Sequence, residues 1–199
     1  MRWDLLFDDL ESQLDQEQRD EERALALEEE RLRLGRLTMR DRLTALSRGA
    51  ADDPSASIRI ALRGGDELEV RPLAFGRDWM SAALHGAGRG PANCIVPLAA
   101  IAAVLPRPAQ VAPSLDPVPE SSARLSERIG LPFVLRDLCR RRAPVQLTTD
   151  DGRVHGTIDR VARDHFDLAV HEPGSARRDR DVRGIRIVPM ARLVLVTFA

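Results

Sequence analysis

A chain of 199 residues with 43% hydrophobic residues can bury the core of one ordinary domain or of two small ones. The formal net charge of -1 excludes a global electrostatic attraction to nucleic acid or to a membrane surface. The chain has no apolar run of membrane-spanning length, an acidic start unlike a secretory signal, and two isolated cysteines, so we expect a cytoplasmic protein.

The charged residues are unevenly distributed. Between Trp3 and Leu34 twelve acidic residues accompany four arginines, whereas thirteen arginines accompany nine acidic residues between Arg136 and Arg192. A chain with one acidic and one basic end can fold back on itself or bind two kinds of partner.

The first predicted element is a helix from Trp3 to about Leu46, with Gly35 as a break or an end. Apolar residues recur at helical spacing at its beginning, namely Trp3, Leu6, Phe7, Leu10 and Leu14. Bulky apolar residues on one helix face, surrounded by acids, are typical of a helix that binds in a groove of another protein. We therefore predict that Trp3, Leu6, Phe7 and Leu10 bind a protein partner. Docking of the same face on the small β-barrels that the rest of the chain is predicted to form is an equally open alternative.

Two polar segments divide the rest of the chain. A small linker follows Ser47, and a longer one, PRPAQVAPSLDPVPESS, contains five prolines. The predicted organisation is a helical arm with a lead-in helix (1–46), a first β domain (47–105), a Pro-rich linker (106–122) and a second β domain (123–199). The second β domain begins with its own lead-in helix, after Gly130.

The two β domains share a degenerate sequence. A shift of 86 positions aligns Arg77-Asp78 with Arg163-Asp164, and a shift of 92 aligns Val96-Pro97 with Val188-Pro189. We interpret the match as an internal repeat, with a loop six residues longer in the second copy.

Short alternating runs between turn residues indicate about five strands in each copy. Asp151-Gly152 has the composition of a hairpin turn, and Gly156 within a strand indicates a bend or close backbone contact. The predicted fold is α+β: a long N-terminal helix, then two small, strongly bent, five-stranded barrels, each with a short lead-in helix. The predicted core comprises Ile58, Ile60, Val70, Leu84, Val96, Ile101, Val145, Leu147, Ile158, Phe166, Leu168, Val188 and Leu193.

The stretch GRVHGTIDRVARDHFDLAV resembles the first motif of the Sm-like (LSm) family of small SH3-like β-barrels, with Gly152, Gly156, Asp164 and Leu168 in the expected order. This resemblance implies assembly into rings and RNA binding through a loop after the aspartate and an Arg-Gly pair. Asp167 stands where the family prefers Asn, and Arg183-Gly184 precedes the fourth strand instead of leading into the fifth. The opening MRWDLLFDDLE is similar to a type of actinobacterial protein, which implies no activity.

Few residues indicate catalysis. Asp164, His165 and Asp167 are close in sequence, but strand alternation places His165 and Asp164 on opposite faces. The sequence contains no phosphate-binding Gly-rich loop, no metal motif and no nucleophile with a credible base, so we expect no cofactor and no enzyme activity. Catalysis would require that His85, His155, His165 or His171 converge.

Two functional hypotheses follow. The first is a non-catalytic adaptor or regulatory protein that engages a protein partner through the N-terminal helix, with oligomerisation possible. The alternative is an Sm-like RNA-binding regulator that uses a cluster of guanidinium groups in the second barrel, which suit phosphate recognition. This cluster comprises Arg177, Arg178, Arg180, Arg183 and Arg186. Alternating aspartates and the absence of Tyr and Trp there favour a solvated loop instead.

Overall fold

In the part of the chain that the structure describes, ten antiparallel strands form a single open sheet, which lies toward the C-terminal end of the sequence. The computed structural model describes residues 3–49, 57–84, 92–117, 128–175 and 177–198, with the side chains of all except residues 3–10 and 49. Two compact units make up the chain, Met1–Met39 and Arg40–Ala199, and the sheet belongs to the second.

The α-helices whose bounds fall within the described residues are α1 (Trp3–Arg36), α2 (Met39–Gly49), α3 (Pro108–Val111) and α4 (Leu131–Arg140). The first five strands are β1 (Ile58–Leu62), β2 (Glu67–Phe75), β3 (Trp79–Leu84), β4 (Asn93–Pro97) and β5 (Ile101–Val104). The next five are β6 (Pro144–Thr149), β7 (Gly152–Val161), β8 (His165–Val170), β9 (Gly184–Pro189) and β10 (Leu193–Phe198). Short 3-10 turns lie at Leu98–Ala100, Pro113–Leu115, Asp179–Asp181 and Met190–Arg192.

The strand order explains why the sheet is open. Across the sheet it is β5-β1-β2-β3-β4-β10-β6-β7-β8-β9. A five-stranded barrel would need its two outer strands to pair with each other. Within the described part of the chain, however, β4 pairs with β10, and β5 pairs only with β1. The prediction of two closed Sm-like or SH3-like barrels, built as separate repeated units, is therefore wrong.

The two halves of the sheet nevertheless use matching registers. Val70 lies opposite Leu84 in the first half, and Gly156 lies opposite Val170 in the second. Trp79 lies opposite Pro97, just as His165 lies opposite Pro189. The sequence matches at shifts of 86 and 92 thus correspond to equivalent strand pairs within one sheet. Gly156 is in the close backbone contact that the sequence predicted, because a Cβ there would clash with the carbonyl oxygen of Ala169.

Two apolar cores share the strands at the middle of the sheet. Successive side chains of a strand point to opposite faces. In β4, accordingly, Cys94 and Val96 belong to one core, whereas Ile95 belongs to the other. Helix α2 contributes Leu43 to the first core, and α4 contributes Leu135 to the second. Burial on both faces explains why the sequence of β10 is almost continuously apolar.

The core prediction is confirmed for twelve of its thirteen residues. The exception is Leu84, which is only partly buried beside the first core. The predicted helix from Trp3 to about Leu46 is two helices in the structure. The first, α1, ends at Arg36, one residue after Gly35, and the second, α2, begins at Met39. Gly35 lowers helix stability because its backbone loses the most conformational freedom on folding.

Candidate functional site

The side chains predicted to bind a protein partner, those of Trp3, Leu6, Phe7 and Leu10, lie outside the described residues. Their backbone belongs to α1. Leu14, the next apolar residue of the predicted stripe, is described, and its relative exposure is 64%. Leu25 and Leu32 are exposed as well.

The charged side chains of α1 pair mostly with each other. Arg19 lies 3.6 Å from Asp15, and Arg23 lies 3.0 Å from Asp20, at the i,i+4 and i,i+3 spacings that bring helix side chains together. Arg33 pairs in the same way with Glu30, whose pKa is lowered, chiefly by this hydrogen bond. These ion pairs stabilise the helix locally, and they do not involve its exposed leucines.

The arginines proposed for RNA binding are largely engaged. Arg177 donates from Nε and Nη2 to the two carboxylate oxygens of Asp159, each at 2.7 Å, and from Nη1 to Asp179 at 2.8 Å. Arg180 lies near Asp181, and Arg183 forms an ion pair with Glu172. Among the described residues, the exposed Arg178 and Arg186 have no carboxylate partner. The cluster therefore presents fewer available guanidinium groups than its sequence indicates.

Asp159 is the centre of this charge network. Its carboxylate, on β7, also accepts a 2.8 Å hydrogen bond from Nη1 of Arg142. The hydrogen bonds from Arg177 lower the pKa of Asp159, and they raise the pKa of Arg177. Arg142 follows α4 with a φ of 52°, in the left-handed region that disfavours residues with a side chain. Its ion pair with Asp159 helps to hold that conformation.

A cavity of about 590 Å³ lies beside this network. Its lining comprises Arg142, Pro144, Thr157, Gly174, Ser175 and Arg177. The volume is within the range of small-molecule pockets. Both of its guanidinium groups are bound to Asp159, however, and Arg177 also binds Asp179, so the two carboxylates compensate their charge within the protein.

His171 is buried next to the cavity. Its Nδ1 lies 3.1 Å from the carbonyl oxygen of Glu172, which can only accept a hydrogen bond, so Nδ1 carries the proton. In the neutral imidazole, Nε2 then accepts a hydrogen bond from the Thr157 hydroxyl at 2.9 Å. Ser175 donates from Oγ to the same Glu172 carbonyl at 2.7 Å. These bonds attach the loop after β8 to strand β7.

Two of the four histidines named in the sequence analysis meet. The rings of His155 and His171 are edge to face, with centroids 5.2 Å apart. His165 instead binds Asp164 at 2.7 Å, and His85 lies outside the described residues. A hydroxyl bound to an imidazole can serve nucleophilic catalysis, but an orienting group and substrate access are also required. Thr157 and His171 are both almost fully buried, which suits a structural role.

Sequence reasoning missed Thr157, Asp159, Arg142 and Ser175. Asp159 occupies a polar position of an alternating strand, where an acid is unremarkable. Its two arginine partners are 17 and 18 residues away, on different elements, and no local spacing relates them.

Among the described residues, no group of three or more His, Cys, Asp or Glu side chains is arranged to hold a metal ion. None of the described helices is long and apolar enough to cross a membrane. No protein-family model, curated protein or solved structure matches the chain.

Proposed function

We propose that this chain is a non-catalytic adaptor or regulatory protein of the cytoplasm that engages a protein partner through α1. The observation that supports the proposal is the exposure of the leucines of α1, a helix of 34 residues in a compact unit of its own. Exposed apolar residues that share a helix face are typical of interaction sites.

Three of the five exposed leucines in the described part of α1 share one helix face. Leu25 follows Leu14 by eleven residues and precedes Leu32 by seven. At 3.6 residues per turn, both intervals correspond to nearly whole turns, so the three side chains lie within about 20° of one line along the helix. Phe7 precedes Leu14 by another seven residues, so its position in the sequence continues this line. Leu27, in contrast, is two residues from Leu25 and lies on the other side of the helix.

The charge of α1 indicates the chemistry of the partner. With twelve acidic residues against four arginines between Trp3 and Leu34, the helix retains a negative excess after its internal pairs are formed. A groove with an apolar floor and basic residues at its rim would complement both features. The RNA-binding alternative ranks lower because Arg177, Arg180 and Arg183 lie beside carboxylates.

The test compares two sets of leucines in α1 of the full chain. The double variant Leu25→Ala with Leu32→Ala removes two leucine side chains from the proposed contact face. Leu27→Ala is the matched control on the other side of the helix. Alanine is the best helix former, so each variant keeps α1 helical. We expect the double variant, and likewise Trp3→Ala with Phe7→Ala, to lose a partner from an affinity purification that the Leu27→Ala chain retains.

Thermal unfolding provides the second readout. If the leucines contact a partner, the double variant unfolds at the temperature of the unmodified chain. If it instead unfolds at a lower temperature and retains every partner, the helix packs on its own chain, and the adaptor proposal is wrong.

A further inference from the structure

The cavity of about 590 Å³ beside Asp159 has basic side chains in its lining and no acidic ones among the described residues. The basic residues are Arg142 and Arg177. The carboxylates that pair with them, those of Asp159 and Asp179, are not among the described lining residues. A molecule in the cavity therefore contacts guanidinium groups in preference to carboxylates.

Both guanidinium groups retain hydrogen-bond donors. A guanidinium group has five N–H donors in a planar fork. Among the described residues, Arg142 uses one of them, to Asp159, whereas Arg177 uses two to Asp159 and one to Asp179. Compensation of the charge therefore leaves several donors available to a ligand in the cavity.

The hydroxyl groups in the cavity wall already donate their hydrogens within the protein. Thr157 donates to Nε2 of His171, and Ser175 donates to the carbonyl oxygen of Glu172. Among the described lining residues, the side-chain donors left for a ligand are therefore those of the two guanidinium groups.

The two carboxylates of the charge network differ in exposure. The Asp159 side chain is 15% exposed and accepts hydrogen bonds from both arginines. The Asp179 side chain is 96% exposed, and among the described residues its carboxylate binds only Arg177. An exposed ion pair contributes little free energy, because water solvates both partners. A ligand can therefore replace Asp179 without disturbing Asp159.

We propose that this cavity binds a small carboxylic acid in its ionised form, whose carboxylate accepts hydrogen bonds from Arg142 and Arg177 and replaces Asp179. The planar guanidinium fork matches a carboxylate, and one negative charge restores the balance that Asp179 provided. A doubly charged ligand would instead leave excess negative charge beside Asp159. The volume of the cavity accommodates a carbon skeleton next to the carboxylate. This ligand site belongs to the sheet unit, and it does not depend on the proposed contact through α1.

The first experiment titrates the isotope-labelled full chain with benzoate and follows the NMR amide signals of Gly174 and Ser175. Benzamide is the matched control, because it has the shape of benzoate and no charge. We expect benzoate to shift these signals with a dissociation constant of about 1 mM, as is usual for so small a ligand. Benzamide should bind at least about tenfold more weakly, because a charge-assisted hydrogen bond is stronger than a neutral one.

The second experiment removes the carboxylate that the ligand replaces. Asp179→Asn should strengthen benzoate binding about two- to fivefold, an effect limited by the weakness of an exposed ion pair. Asp181→Asn is the matched control, because it removes the same charge from the same 3-10 turn, beside Arg180 and outside the described lining. Benzoate binding to this control should be unchanged.

The third experiment removes one of the two donors. Arg142→Gln should weaken benzoate binding at least about tenfold, since hydrogen bonds to a charged group are lost. Arg178→Gln is the control: Arg178 is exposed and is not among the described lining residues, so binding should be unchanged.

Three results would overturn the proposal. Equal shifts from benzoate and benzamide, or none from benzoate at about 10 mM, would show that the cavity does not recognise a carboxylate. Unchanged affinity in Asp179→Asn would show that the ligand does not replace this side chain. Unchanged affinity in a folded Arg142→Gln chain would place benzoate elsewhere. If Arg142→Gln fails to fold, as circular dichroism would report, the comparison of Asp179→Asn with Asp181→Asn decides.

Discussion

The helical unit and the sheet unit use the same residue types in opposite ways. Leu14, Leu25 and Leu32 of α1 are exposed, whereas Leu147 and Leu168 of the sheet are completely buried. The charges differ as well. Arginines of α1 pair with acids three or four residues away, whereas Arg153 of β7 reaches Asp66, 87 residues distant.

This difference shows where each unit obtains its stability. Burying a large apolar side chain contributes roughly 1.5–3 kcal/mol, and the sheet unit contains two cores of such residues. The described part of α1 depends on ion pairs that contribute roughly 0.2–0.5 kcal/mol each. The leucines of α1 gain nothing from exposure to water, so a contact with another surface is what would stabilise them.

The largest effect on the free energy of unfolding should come from replacing a buried aromatic residue of the sheet. Phe166 is completely buried in the second core, and Phe133 of α4 is 59% exposed. Phe166→Ala should lower the free energy of unfolding by about 3–5 kcal/mol, because it leaves a cavity. Phe133→Ala should change it by less than about 0.5 kcal/mol. Chemical denaturation followed by circular dichroism measures both, and equal effects would contradict the assignment of the core.

The sequence was a good guide to the strands and the core, because both depend on local alternation. Ile58 and Ile60 are both buried on β1, as a period of two requires. Closure of the sheet depends instead on which outer strands meet. The pairing of Val196 with Ile95 joins residues about a hundred positions apart, and nothing in the local pattern of β4 distinguishes this partner from β5.

The charge network was unpredictable for a similar reason. Arg177 was recognised as a member of an arginine cluster, but its partner Asp159 lies on another strand, and Arg142 lies after α4. The aspartates that alternate with the arginines are visible in the sequence, whereas the distant partner Asp159 is not. The exposed leucines of α1 were only partly anticipated, since Leu14 belonged to the predicted stripe and Leu25 and Leu32 did not.

An intermediate effect on the free energy of unfolding is expected at Asp159, whose ion pairs join separate segments of the sheet unit. Asp159→Asn should lower the free energy of unfolding by about 1–2 kcal/mol, since it weakens the charge-assisted bonds from Arg177 and Arg142. Asp164→Asn is the control: Asp164 also has a lowered pKa, chiefly through His165, but it is exposed to solvent, so no resolvable change is expected.

The pH dependence of unfolding tests the same ion pair. The pKa of Asp159 is lower in the folded chain than in the unfolded chain. Its stabilisation is therefore complete above the unfolded pKa, roughly 3.9, and is lost as the pH falls through the folded value. The difference in stability between the unmodified chain and Asp159→Asn should then shrink below about pH 4. A difference that is constant from neutral to acidic pH would show that the carboxylate charge has no part in it.

The smallest effect is expected for the binding of nucleic acid. This measurement tests whether exposed arginines of the sheet unit bind another molecule, as the exposed leucines of α1 are proposed to do. Arg178 and Arg186 are the members of the predicted cluster without a carboxylate partner among the described residues, so at most two phosphate contacts are readily available. Each phosphate contact to a single strand contributes about 0.7 to the slope of log affinity against log salt concentration. Single-stranded RNA should therefore bind weakly or not at all, and Arg178→Ala with Arg186→Ala should reduce the slope by no more than about 1.4. Fluorescence anisotropy over a range of salt concentrations measures this. Micromolar or tighter binding near physiological salt that the double variant abolishes would favour the RNA-binding alternative over the adaptor.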